Sequence, residues 1–132
     1  MLKTFSCLTL ALLAASSQAA PRLDCQIRQE DRSWQPSFAP VADPYTVKAL
    51  EINERFHFKA VVIGDEKQVD YVKIYVHYAT WAHPQPLYQG SWLKPATNAA
   101  TSPDALTGKV RLYAPGLEQE LEFGCALREV QP

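Results

Sequence analysis

The chain has 132 residues, 47% apolar and 20% charged, with 13 Lys and Arg against 14 Asp and Glu. That length holds one core of moderate size. The basic residues are scattered singly among acidic ones, so there is no patch or stripe of the kind polyanion binding needs, and nucleic acid is not expected as a partner.

The chain opens on Lys3, an apolar run over residues 5–15 and the small-residue end Ser17-Gln18-Ala19. This is the pattern of a secretory signal peptide cleaved after Ala19. Cleavage one residue later would set Pro21 directly after the scissile bond, which makes it the poorer site. The run falls well short of the roughly 20 residues that span a bilayer, and no later stretch reaches that length, so no membrane span is expected. Residues 1–19 are therefore read as a leader and 20–132 as one exported domain. The leader carries Lys3 and no acidic residue, which leaves 12 basic against 14 acidic side chains and a net charge of −2 with His neutral.

Cys7 departs with the leader, and because it precedes most of the apolar run it is not a lipoprotein cysteine. Cys25 and Cys125 remain, and in an oxidising compartment two cysteines pair most simply with each other. Each belongs to an alternating apolar set, Leu23-Cys25-Ile27 and Leu121-Phe123-Cys125-Leu127, so the bridge is expected to be buried and to set the first strand beside, or facing, the last. No C-x-x-C and no neighbouring His supports a redox or metal pair.

In chain order, residues 23–28 read as the first strand. Residues 35–44 carry Pro36, Pro40 and Pro44 at a spacing of four, which is read as forbidding a ladder strand and as an extended, partly polyproline crossover between sheets. Residues 45–52 mix strand and helix formers and are read as a strand. Phe56, Phe58, Ala60 and Val62 alternate with His57, Lys59, Val61 and Ile63, and residues 64–68 form a polar turn into the next strand. That strand, 69–78, is expected to lie centrally in an antiparallel sheet, with Val72, Ile74, Val76 and Tyr78 on one face and Tyr71, Lys73, Tyr75 and His77 on the other. Residues 87–93 read as a short strand, and 94–106 as a long small-residue connection with one helical turn at Ser102-Pro103-Asp104. Residues 109–114 and 118–128 close the domain around Pro115-Gly116. Seven short strands and no sustained helical period predict an all-β, single-domain antiparallel β-sandwich of immunoglobulin-like size, with a small β-barrel as the alternative.

Hydrolase, nucleotide and EF-hand motifs are all missing, and no spacing of the serines and histidines assembles a nucleophile with a base, so the protein is not expected to be an enzyme and no cofactor is implied. Glu118, Glu120 and Glu122 lie along one strand face, do not flank a bond across a cleft, and read as a solvated outer face. Pairing Val62 with Val72 sets Phe56 opposite Tyr78 and His57 opposite His77, near enough for two imidazoles to share an ion, while a register slipped by two residues sets Tyr75 opposite His57 instead. No third ligand is evident, so no metal site is assigned. The strongest functional signal is aromatic: Tyr75, His77, Trp81, His83, Tyr88 and Trp92 fall close together, with Trp81 and His83 on a connection stiffened by Pro84 and Pro86. Such side chains offer large contact area at little entropic cost. The expected function is a binding or interaction module for a protein or peptide partner. A glycan-binding module, a metal-handling protein and, last, a small hydrolase are the alternatives. No N-x-S/T acceptor occurs in the mature chain, which favours a periplasmic over another secreted location. The oligomeric state is not legible.

Overall fold

The described residues form nine strands, the long ones built on alternating apolar residues: β1 Ala20–Gln29, β2 Arg32–Trp34, β3 Ser37–Phe38, β4 Leu50–Ile52, β5 Phe56–Gly64, β6 Val69–Tyr78, β7 Gln85–Leu93, β8 Val110–Ala114 and β9 Gln119–Val130. The computed structural model describes residues 19–98, 101–116 and 118–131, so the expected leader, apart from Ala19, lies outside the described residues. One antiparallel sheet runs β2-β1-β9-β8, with β3 joining β2 along the same edge of β1, and the other runs β4-β5-β6-β7. Both sheets keep open edges, so the molecule is the expected all-β sandwich and not a closed barrel.

Between the sheets, Leu23 and Ile27 of β1 and Leu121, Phe123 and Leu127 of β9 meet Phe56, Phe58 and Val62 of β5 and Val72, Ile74 and Val76 of β6, all sealed from solvent. The Phe58 ring meets Phe123 edge-on across the sandwich, with centroids 5.2 Å apart. Phe56 meets Tyr78 in the same way at 5.1 Å. Each such pair stabilises by about 0.5–1.5 kcal/mol beyond the area it buries. Of the registers that alternation allows, the β5–β6 hairpin has the one with Val62 opposite Val72, Phe56 opposite Tyr78 and His57 opposite His77. A slip of one residue would turn every apolar side chain out of the core, which excludes the odd registers. In the turn, the Asp65 carboxylate accepts the N–H groups of Lys67 and Gln68, and those bonds hold its pKa below the ordinary carboxylate value.

Two connections depart from their sequence reading. Residues 35–44 do cross between sheets: the Val41 N–H donates to the Val62 carbonyl, and the Val41 carbonyl accepts from Gly64. Before crossing, however, β3 pairs with Leu23 and Asp24. Proline removes a donor but leaves a carbonyl, and the Pro36 carbonyl accepts the Cys25 N–H at 3.0 Å. Residues 45–52 hold a 3-10 turn, Pro44–Thr46, capped by the Asp43 side chain, and only then a strand, β4.

The long connection before β8 lies along β9. Asn98 N–H donates to the Leu127 carbonyl at 2.7 Å, Leu106 N–H to the Cys125 carbonyl at 3.0 Å, and Cys125 N–H to Thr107 Oγ1 at 2.8 Å. The predicted helical turn is a single hydrogen-bonded turn, Gly108 N–H to Asp104 carbonyl, that propagates no further. Ser102 donates to the Asp104 side chain and so does not cap a helix. Asp104 rests on Gly124, where a Cβ would come within 2.6 Å of its own Cβ, so only glycine admits the connection onto the sheet.

Cys25 and Cys125 are direct partners in the β1–β9 ladder, bonded to each other and 4.1 Å apart at Cα, so the bridge joins neighbouring strands of one sheet. Their N–H groups bond elsewhere, to Pro36 and Thr107, which makes them a non-hydrogen-bonded pair, the position where cross-strand side chains come closest. Oxidised mature protein should show no alkylatable thiol by intact mass, and two after reduction. The double change Cys25→Ala and Cys125→Ala should cost about 2–5 kcal/mol in chemical denaturation.

Candidate functional site

The strand β6 divides the aromatic cluster. Its outer face carries Tyr71, Lys73, Tyr75 and His77, all half-buried, with the Lys73 ammonium 5.2 Å from the Tyr71 ring centroid. Tyr75 lies between Lys59 of β5 and Gln89 of β7, and His77 lies opposite His57. Glu51 of β4 stands opposite His57 on its other side, so Glu51, His57 and His77 form a row across three strands. The ends of that row are two strand spacings apart, about 9.5 Å. Among the described residues, no three His, Cys, Asp or Glu side chains converge to hold a metal ion.

The connection between β6 and β7 presents Trp81 with its full surface in solvent, beside an exposed His83. It is tied across its base: Thr80 Oγ1 accepts the His83 N–H at 3.1 Å and donates to the His83 carbonyl. Pro84 and Pro86 follow, so the indole sits on a turn with little freedom of its own.

Tyr88 and Trp92 belong to neither surface. They pair with Val76 and Val72, and so face the interior, packing against the core. Tyr88 meets Phe123 edge-on at 5.3 Å, and burial pushes its phenol above the ordinary value of 10.0. Both rings close over Gly90, where a Cβ would stand 2.6 Å from the Trp92 ring and 2.7 Å from the Tyr88 hydroxyl. The six residues singled out from sequence thus occupy three places: Tyr75 and His77 on a sheet face, Trp81 and His83 on the loop, and Tyr88 and Trp92 inside.

The edge of β7 is a feature the residue pattern does not announce. Lys94 N–H donates to the Asp70 carbonyl at 2.7 Å, which fixes the hydrogen-bonding phase of the β6–β7 ladder. In an antiparallel pair that phase alternates, so Trp92, Gly90 and Tyr88 bond to β6 while Leu93, Ser91 and Gln89 turn their N–H and C=O groups outward. Leu93 is 79% exposed, and with Trp81 it brackets the strand by two large apolar side chains in solvent.

A cleft of about 450 Å³ opens elsewhere, between the end of β1 and the β8–β9 turn, and is lined by Arg28, Gln29, Arg111, Glu118, Glu120 and Glu122 among others. Glu122 is more enclosed than a solvated face implies: Arg111 Nε donates to it at 3.0 Å and Lys109 stands 3.8 Å away, while Glu120 remains open to water. Arg111 thus stands between Glu122 and, at 3.9 Å, Glu120. At the same end, the buried Gln29 amide accepts from Asn53 and donates to Gln119 at 3.2 Å, and Arg32 donates to Asn53 at 2.6 Å. This chain of polar groups ties the two sheets together. Comparison with family models, with curated proteins and with solved structures finds no match.

Two outcomes follow for the side chains singled out above. Trp81→Ala should leave the thermal midpoint within about ±0.5 kcal/mol of wild type, since the side chain has no packing to lose, whereas Trp92→Ala should cost on the order of 3 kcal/mol and lower the midpoint by roughly 10 °C. Differential scanning calorimetry of the two variants decides it. Calorimetric titration with zinc or copper should give no stoichiometric site tighter than about 1 µM; such a site, lost in His77→Ala, would show that His57 and His77 recruit a ligand after all.

Proposed function

We propose that the protein is an exported recognition module that binds a protein or peptide partner and carries out no chemistry of its own. The observation that carries this reading is Trp81, fully exposed on a loop held by Thr80 and stiffened by two prolines. A large amphipathic ring held in water serves no folding purpose here, and indoles are among the side chains that dominate binding hot spots. A glycan would call for a second aromatic platform beside it, but Tyr88 and Trp92 face inward and Tyr75 lies half-buried on the sheet face. The leader pattern and the buried bridge between Cys25 and Cys125 support export to an oxidising compartment, the periplasm by the composition of the chain. Among the described residues no helix is long and apolar enough to cross a membrane.

Selection of a displayed random peptide library on the oxidised mature protein, run beside a glycan array, tests the reading. Enriched peptides that bind wild type and lose about tenfold or more in affinity for Trp81→Ala are the expected result, since truncating an aromatic anchor removes 1.4 kcal/mol or more. Array binding without any enriched peptide would transfer the site to the glycan class, and binding of neither would remove the recognition role.

A further inference from the structure

We infer that the open edge of β7 is a strand-addition site, which takes an extended peptide segment of the partner with apolar side chains at every second position. This rests on the recognition reading above and names how the partner is held.

The four sheet edges differ in how they are protected. β4 is three residues long, and farther along the same side of β5 the edge is occupied by Val41, which bonds to Val62 and Gly64. The outer edge of β1 is covered by β2 and β3, themselves only three and two residues long. β8 has five residues and carries Arg111 beside Lys109, and beyond it Asn98, Leu106 and Thr107 bond to Leu127 and Cys125 of β9. Short strands, cations and covering segments are the usual devices against edge pairing. Among the described residues β7 itself has none of them: its nine residues, Gln85-Pro86-Leu87-Tyr88-Gln89-Gly90-Ser91-Trp92-Leu93, contain no charge, its one proline and the register shift against β6 stand near its start, and the nearest cation along the chain, Lys94, follows its end. Gln89, Ser91 and Leu93 present three N–H and three C=O groups in phase, and all three side chains are exposed.

The seam beneath this edge selects the occupant. β8 of the facing sheet lies next to β7, and the apolar residues along the two strands, Leu87, Tyr88 and Trp92 with Val110 and Leu112, are only partly buried although they pack on the core. A strand laid against β7 would point every second side chain over this rim, so apolar groups are favoured there, while the alternate positions lie beside Gln89 and Ser91 and accept polar ones. A second copy of this chain suits the edge less well. Two-fold pairing of β7 with itself would carry a second sheet along, and would bring Lys109 and Arg111 of each β8 edge toward their counterparts. A single extended segment has no second sheet.

The test uses the same displayed library, with backbone amide exchange followed by NMR on the oxidised mature protein and an enriched peptide. Binding should slow exchange at Gln89, Ser91 and Leu93 and leave Tyr88, Gly90 and Trp92, already bonded to β6, little changed. Ser91→Pro removes one outward donor and should weaken the peptide about tenfold or more, whereas Ser91→Ala should bind as wild type. If Ser91→Pro misfolds, the alternating exchange pattern in wild type decides alone. Peptides that need Trp81 but protect none of the three amides would overturn strand addition and leave the recognition reading standing, and failure to enrich any peptide would overturn both. A concentration-dependent dimer in sedimentation, abolished by Ser91→Pro and accompanied by no peptide binding, would assign the edge to a second copy and overturn the peptide proposal.

Discussion

Cys25 and Cys125 stand directly opposite each other in the β1–β9 ladder although a hundred residues separate them along the chain, and every other element is enclosed by that pairing. On the chain-entropy account, closing a loop of this length before folding is worth up to about 4.7 kcal/mol, comparable with the whole net stability of a small domain. The bond also anchors two pieces of irregular backbone. The Cys25 N–H reaches out to Pro36 and the Cys125 N–H to Thr107, so the proline crossover on one side and the long connection on the other dock on the same cross-strand pair. Gly124, next to Cys125, supplies the flat place on which Asp104 lands. The bridge, the absent side chain and the docked connection form one arrangement in which each part presupposes the others.

From that centre the two sheets are finished unequally. The end of the sandwich where β1 meets β2 is closed by the chain Arg32, Asn53, Gln29 and Gln119, in which the buried amide of Gln29 both accepts and donates. A buried amide left unpaired would cost about 1–3 kcal/mol, so the network is a condition for burying that end as well as a link across it. Glu122 is satisfied in the same way by Arg111 and Lys109. Several polar groups on that side of the molecule are thus paired with one another across its cleft. At β7 the balance is reversed, with main-chain groups unspent and apolar side chains only partly covered.

Most of the fold was legible because burial enforces a period of two. The inward faces of β5 and β6, the central place of β6 and the inward sulfurs all follow from which alternate residues are apolar, since a slip of one residue would expose the set, whereas registers two residues apart share the same faces and the pattern does not choose among them. Where backbone bonding, not side-chain burial, sets the structure, the pattern is silent. β3 forms because prolines keep their carbonyls, and Asn98, Leu106 and Thr107 bond to β9 through main-chain groups that no alternating pattern marks. Val61 is a third case, an outward-facing residue that is nevertheless 4% exposed and belongs to no part of the central cluster. It lies directly across from Lys73. Its alternation gives the face correctly but not the degree of burial.

The same limit explains what became of the aromatic cluster. Proximity in sequence gathered Tyr75, His77, Trp81, His83, Tyr88 and Trp92, but a strand sends neighbours to opposite faces and a hairpin loop leaves both, so eighteen residues of chain hold three environments. Gly90 carries the information that separates them. A glycine between two aromatics on the same strand face reads locally as weakness. In the folded chain it is the vacancy into which Tyr88 and Trp92 both close. Filling that vacancy from within turns the two largest side chains of β7 away from solvent and leaves its outward surface to Gln89, Ser91 and Leu93, small or uncharged groups that shield the backbone poorly. The inward packing of the aromatics and the bareness of the edge are therefore one consequence of the same alternation.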